Sequence, residues 1–320
     1  MAHIIRRPEW YVPERQITPE LSFFNRRHFL KQLGIGGAGV LAASSGFSAH
    51  GADSPGAGKL SYPYPRNKQF NPEWALTREE IATSYNNFYE FSLDKDAVKH
   101  LTSKFVTTPW SVQITGLCDN PLTLDLEDWI TKNSLEERVY RFRCVEAWAM
   151  IVPWTGFTLS KLIELAKPKA EAKFVRFETA NRPEQFPGYS NPRTARYPWP
   201  YFEGLRMDEA MHPLTFMATG VYGKPLPKQN GAPVRLVVPW KYGYKSIKSI
   251  TKIEFVAAQP KTFWETLGPD EYPFESNVNP KVPHPRWSQA TERMIDTGTK
   301  VRTQLYNGYG DLVAKLYPNA

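Results

Sequence analysis

The chain has 320 residues, 41% of them hydrophobic and 14% aromatic, with 28 prolines, a composition that suits a folded, loop-rich, strand-containing globule and excludes a disordered chain or a helical bundle. The formal net charge is +8, but residues 1–50 hold six of the 40 Lys+Arg against three of the 32 Asp+Glu; the surplus of +5 that remains is scattered, which argues against a nucleic-acid partner. Two cysteines, Cys118 and Cys144, build no disulfide framework, iron–sulfur site or four-thiolate zinc site, and neither sits in a C-x-x-C or C-x-x-C-H context, so any electron supply is external.

In chain order, Asn25-Arg26-Arg27-His28-Phe29-Leu30-Lys31 precedes a glycine-rich apolar run from Gln32 to Ala43, then small residues through Ala49, Gly51 and Ala52. The run is too short and too interrupted by glycine and serine for a membrane anchor, and the stretch resembles a twin-arginine signal peptide. Residues 1–52 are therefore expected to be an export signal with a long leader, cut near Gly51 or Ala52, that sends the folded chain to the periplasm through the twin-arginine (Tat) machinery. About 270 residues would remain, enough for one large domain or two small ones. Signals of this kind often accompany a cofactor inserted in the cytoplasm.

Residues 53–75, rich in Pro, Gly, Tyr and Asn, read as a linker running onto the surface of a domain spanning 76–320. Thr77-Arg78-Glu79-Glu80 has the form of a capping box opening a short helix that fades by Ser84. Tyr85 to Phe91 packs amides and aromatics into a loop. Trp110–Thr115 and Leu122–Leu124 read as strands, Asp125 as the cap of a helix reaching Lys132, and Glu137–Cys144 as a central strand. After Pro153 and Gly156, Thr158 or Ser160 can cap a helix through Ala166. Lys173–Thr179 alternates as a strand and leads into a long, proline-dense excursion from Ala180 to Gly204, which fits a site-lining loop better than an interdomain hinge. Leu214–Thr219, Val234–Val238 and Ile250–Ala257 read as further strands, and the tail from Pro260 as irregular structure wrapping the core. No internal repeat, G-x-G-x-x-G or Walker-type loop supports a nucleotide cofactor.

Within Tyr140-Arg141-Phe142-Arg143-Cys144, the period-two pattern brings the thiol out on the apolar face where the strand ends. A free cysteine in a strand is most often plain core. Arg141 and Arg143 beside it would favour thiolate over thiol, and so metal ligation or nucleophilic attack. Cys118 sits among turn signals and reads as incidental; a Cys118–Cys144 disulfide would consume the one candidate thiolate.

Taken together, Asn86-x-x-Tyr89-Glu90, Arg143-Cys144-Val145-Glu146-Ala147-Trp148, Phe177-Glu178-Thr179, Asn230-Gly231-Ala232-Pro233-Val234-Arg235 and Trp240-Lys241-Tyr242-Gly243 resemble the sulfite-oxidase-type molybdopterin family, and within it the branch of periplasmic protein-methionine-sulfoxide reductases. The resemblance runs from the signal to Asn307-Gly308-Tyr309. It implies an α+β, strand-rich sulfite oxidase-type molybdopterin-binding fold; a single domain without the extra immunoglobulin-like domain of sulfite oxidases is expected, because no second strand-rich block reads out of the sequence after Ala257. It implies a molybdenum held by one pterin dithiolene and one thiolate, Cys144, since a soft thiolate suits a metal already bound by sulfur. Arg235 and Lys248 match positions that bind the cofactor, where they can hold its phosphate. Asn86, Tyr89, Glu90, Thr179, Asn230, Ser246 and Ile247 match further cofactor-binding positions, although Gly is commoner in the family where Ser246 stands. The implied activity is repair of methionine sulfoxide in exported proteins, with a membrane-embedded haem b cytochrome drawing on quinol as electron donor and oxidised periplasmic proteins as substrates. Two rivals stand beside it. Sulfite oxidation uses the same fold, but sulfite oxidases usually continue Ala-Gly-Asn after the metal cysteine, where this chain has Val145-Glu146-Ala147. An exported, non-enzymatic binding protein is compatible with the composition.

Overall fold

A computed structural model of the chain describes residues 62–70 and 74–318; the expected export signal and much of the expected linker lie outside them. Among the described residues, β1 (Ser111–Gly116) and β2 (Leu122–Asp125) begin one sheet, and β3 (Glu136–Arg143) and β4 (Trp148–Thr158) begin another. The chain returns to the first sheet with β5 (Phe174–Thr179) and β6 (Phe202–Arg206), and to the second with β7 (Phe216–Val221), β8 (Lys224–Pro225) and β9 (Arg235–Val237). Then β10 (Ile250–Val256) joins the first sheet and β11 (Thr291–Met294) and β12 (Lys300–Arg302) the second. The first sheet has the order β2-β1-β10-β5-β6; the second runs β12-β11-β4-β7-β8, with β3 also on β4 and β9 also on β7. The helices are short, which makes the fold the strand-rich α+β type expected. No helix among the described residues is long and apolar enough to cross a membrane.

Local chemistry explains most elements. Asp125 accepts the Asp128 N–H at 2.9 Å and opens the helix Leu126–Lys132, a cap worth about 1 kcal/mol. Thr77 does not cap: the helix Glu79–Ala82 starts without a side-chain cap, because the Thr77 hydroxyl is buried and accepts the Ile151 N–H at 2.9 Å instead. The longest strand, β4, goes unseen in the sequence. It is the hub of its sheet, flanked by β3, β7 and β11, and is buried along all but its last residue, so it shows an unbroken apolar run without alternation, punctuated by Pro153 and Gly156. Gly156 lies at a register shift against β7, where an added Cβ would stand 2.0 Å from the Met217 carbonyl oxygen.

The sheets meet at Ser249 and Ile250. The Ile250 N–H donates to Val234 O at 3.2 Å and the Ser249 N–H to Gly231 O at 3.1 Å, while Ser249 O accepts the Ala180 N–H at 2.9 Å. Beside this junction Phe88, Phe91, Phe105 and Phe186 pack with centroids 4.8–6.4 Å apart, mostly edge to face. Burying each such ring contributes roughly 1.5–3 kcal/mol, which fastens the Tyr85–Phe91 segment and the 180–204 excursion to the core.

Candidate active site

Cys144 is the first residue of the turn joining β3 to β4. Its N–H donates to Trp148 O at 2.9 Å and its carbonyl accepts the Ala147 N–H at 3.1 Å, with Ala147 in the left-handed region at φ 62°. Cys144 is 6% exposed, and its sulfur receives two N–H donors, Glu146 N at 3.4 Å and Asn87 Nδ2 at 3.5 Å. The Glu146 carboxylate lies 3.7 Å from the sulfur and is itself held by Asn87 Nδ2 (3.1 Å), Trp148 Nε1 (3.0 Å) and Lys95 Nζ (3.2 Å). The expectation that Arg141 and Arg143 promote the thiolate does not hold. Both guanidiniums are taken by the buried Glu292 carboxylate, Arg141 Nη2 at 2.5 Å and Arg143 Nε at 2.9 Å. Burial, then the Glu146 charge, pushes the Cys144 thiol up, and Lys95 and Arg143 pull the other way too weakly. Nor is there a disulfide: Cys118 and Cys144 are both free and buried. Within the described chain the sulfur is thus built to accept hydrogen bonds, while burial and the Glu146 charge outweigh the nearby positive charge that would ionise it.

Arg235 and Lys248 supply positive charge close by, and neither is in an ion pair among the described residues. Arg235, 2% exposed, donates only to main-chain carbonyls, Asn230 O at 2.9 Å, Ser246 O at 3.0 Å and Leu236 O at 3.3 Å, and burial pulls its pKa from 12.5 down to about 9. Lys248 keeps part of its surface open, donates to Asn87 O at 2.7 Å, and is pushed below the ordinary lysine range by burial and then by Arg235. The buried Glu90, raised above the usual carboxylate range by its own burial, is the opposite charge that attracts Lys248 without touching it. Ser246 contributes its carbonyl to Arg235 and its hydroxyl to the Val238 N–H at 3.1 Å, so a side chain is accommodated where Gly is common. The Ile247 carbonyl accepts the Leu236 N–H at 2.8 Å, and Thr179 Oγ1 donates to Lys248 O at 2.8 Å, which pins the segment 246–248. Gly231 makes the cradle possible: at φ +101° it lies so near Lys248 that a Cβ would meet the lysine's Cβ and Cγ at 2.7 Å.

All ten residues singled out in the sequence come together. Among the described residues Asn86 Nδ2 and Asn230 Oδ1 are buried without a partner, although Asn230 Nδ2 is satisfied by Ala82 O at 3.0 Å. Tyr89, half-buried, packs edge-on to Trp264 at 5.4 Å, and burial, then the Glu146 and Cys144 charges, pushes its phenol up. Glu90 accepts the Gly188 N–H at its carbonyl at 2.7 Å, so the 180–204 excursion seats directly on the segment carrying Tyr89 and Glu90. The sequence reading missed three contributors: Asn87, Lys95 and the buried, unpartnered Tyr189 hydroxyl. Asn87 had only its place beside Asn86 to signal it; Lys95 had none.

Residues 100–264 match the family described as the oxidoreductase molybdopterin binding domain. The protein-methionine-sulfoxide reductase catalytic subunit MsrP of Campylobacter jejuni is 52% identical over 307 residues, 95% of this chain and 97% of that protein. The subunit of the same name from Burkholderia mallei is 48% identical over 310 residues, 96% of this chain and 93% of its own. The chain belongs to the MsrP family. A solved structure, the sulfane dehydrogenase SoxCD from Paracoccus pantotrophus, is 17% identical with a TM-score of 0.41 over 67% of this chain and 57% of its own, too slight a likeness to argue from.

The residues of this MsrP family member suit the molybdopterin named in the domain description. Two buried cations, neither in an ion pair among the described residues, are costly until an anion such as a phosphate reaches them. Unpartnered amide atoms on Asn86 and Asn230, one donor and one acceptor, are complementary to the edges of a pterin. Among the described residues no three His, Cys, Asp or Glu side chains gather around a metal, so a metal at Cys144 would take its other ligands from a cofactor.

Proposed function

We propose that the chain is a molybdenum-dependent reductase that returns methionine sulfoxide in periplasmic proteins to methionine. Residues 1–52 would direct its export, 53–75 would link, and 76–320 would form the catalytic domain, with electrons from a membrane haem b subunit fed by the quinone pool. The single observation that carries the reading is a sulfur with two N–H donors beside two buried basic side chains that make no ion pair among the described residues.

Bound molybdenum–molybdopterin would supply the oxygen-atom acceptor and two-electron store that no side chain provides. Cys144 would hold the metal as thiolate, its charge met by the Glu146 and Asn87 N–H groups. Arg235 and Lys248 would hold the phosphate, while Asn86, Tyr89, Glu90, Thr179, Asn230, Ser246 and Ile247 would fix the pterin through side-chain amides, carbonyls and packing. The net reaction consumes a sulfoxide, two electrons and two protons and yields a thioether and water. Sulfite oxidation is the rival on the same fold, disfavoured because Val145-Glu146-Ala147 follows Cys144 where sulfite oxidases usually have Ala-Gly-Asn.

The test is oxidation of a reduced viologen dye by the molybdenum-loaded protein with an oxidised methionine-rich protein as acceptor, run beside sulfite oxidation. Turnover with the sulfoxide that disappears in Cys144→Ser supports the reading. Sulfite turnover without sulfoxide turnover would assign the sulfite oxidase activity instead, and a folded protein with neither would favour a binding role.

A further inference from the structure

The planar trans peptide between Val145 and Glu146 has its C=O and N–H pointing to opposite sides. Its N–H points at the Cys144 sulfur at 3.4 Å. Its carbonyl, on the far side, is gripped by two side chains from the segment before β11: Gln289 Nε2 at 2.7 Å and Trp287 Nε1 at 2.8 Å. Gln289 is 1% exposed, and its amide is oriented because Oε1 accepts Arg143 Nη2 at 2.8 Å, leaving Nε2 for Val145. Arg143 is oriented in turn by Glu292 at 2.9 Å and by the Cys144 carbonyl. A continuous series of hydrogen bonds thus runs from Glu292 through Arg143 and Gln289 to the peptide whose N–H meets the sulfur. Nearly 150 residues of chain separate the two ends, and none of Trp287, Gln289 and Glu292 touches the thiol.

We infer that Trp287 and Gln289 are positioning residues that aim the Glu146 N–H at the Cys144 sulfur and thereby set how much charge that sulfur donates to the metal it holds. Arg141 and Arg143, which flank the cysteine in sequence, act through this scaffold and not as charges on the thiol. An N–H···S bond withdraws electron density from a thiolate; without it the sulfur is the stronger donor and favours the oxidised metal. The inference rests on Cys144 being the molybdenum ligand.

The test is the Mo(V/IV) midpoint potential and Mo(V) electron paramagnetic resonance spectrum of the molybdenum-loaded protein, in wild type, Trp287→Phe and Trp287→Phe/Gln289→Leu. Phenylalanine can keep the stack that Trp287 makes on His284 (3.8 Å, 7°) while removing the N–H. The double variant is expected to keep its molybdenum and show a roughly tenfold higher oxidised-to-reduced ratio at fixed potential, a fall of about 59 mV for one electron, with an altered Mo(V) spectrum. Trp287→Phe alone shifts in the same direction by less. An unshifted potential and spectrum in a fully loaded double variant overturn the inference, and if that variant does not fold, an unshifted Trp287→Phe does so. A wild type without molybdenum overturns it together with the role of Cys144, and metal content tells the two failures apart.

Discussion

Lys241 stands inside the Trp240-Lys241-Tyr242-Gly243 motif, yet its surroundings make it structural. Its ammonium lies 2.5 Å from Glu209 Oε1, and both side chains are fully buried. Lys241 also donates to Glu275 O at 2.7 Å and Asn277 Oδ1 at 2.9 Å, and Glu209 accepts the Tyr317 hydroxyl at 2.6 Å. Replacing Lys241 with Met fills the space but leaves the buried carboxylate with only the more distant Arg206, at 4.0 Å, for a cation, a loss of about 3 kcal/mol. In the wild type burial pushes the Glu209 carboxyl up, but Lys241 and Tyr317 outweigh it and hold it below 4.5; burial pulls Lys241 from 10.5 down to about 8. Without Lys241 burial is opposed only by Tyr317 and the more distant Arg206, so the carboxyl is expected to titrate higher in the folded than in the unfolded chain. The folded variant then binds the extra proton, so its deficit is full above the raised value and shrinks as pH falls towards 4.5. Urea unfolding at pH 7 and pH 5 measures both effects, and Lys241→Met/Glu209→Gln should recover most of the loss at pH 7. A deficit under about 1 kcal/mol at pH 7, the value of an exposed pair, or one that grows on acidification, would refute the reasoning.

Arg235→Met is expected to abolish molybdenum retention while changing cofactor-free stability by less than about 2 kcal/mol, because the removed buried charge and the three carbonyls left unsatisfied offset each other; metal analysis and thermal unfolding check the two halves. Gly231→Ala pays left-handed strain and drives a methyl into Lys248, so roughly 2–4 kcal/mol of stability and most cofactor retention should be lost, read by urea unfolding and metal content. Cys144→Ser should fold, but removing the cofactor removes ligand stabilisation, so it melts below the loaded wild type and level with the cofactor-free protein in a thermal scan.

Legibility followed physical environment. Elements with a solvent face or a polar cap, such as β1, β5 and the Asp125 helix, stood out because alternation and capping leave marks in the sequence. β4 left none, since a strand buried on both sides has no polar face, and β6 was hidden at the end of the proline-dense excursion. In the site, the resemblance supplied ten positions that composition alone would have left as turns, strand ends and solvated lysines, and the fold brings them together. It gave no access to long-range support: Gln289 and Trp287 reach Val145 across more than 140 residues, and no local pattern announces such a bond. Arg143 was misjudged for the same reason, because its partner Glu292 lies 149 residues away.

The central claim is that one thiolate and the buried pair Arg235 and Lys248 hold a molybdenum cofactor. Its most direct test is the molybdenum and pterin content of the purified wild type and Cys144→Ser proteins. The account predicts about one molybdenum per chain in the wild type and none in Cys144→Ser, with both folded. A folded wild type free of molybdenum, or a Cys144→Ser protein that retains it in full, would contradict the account.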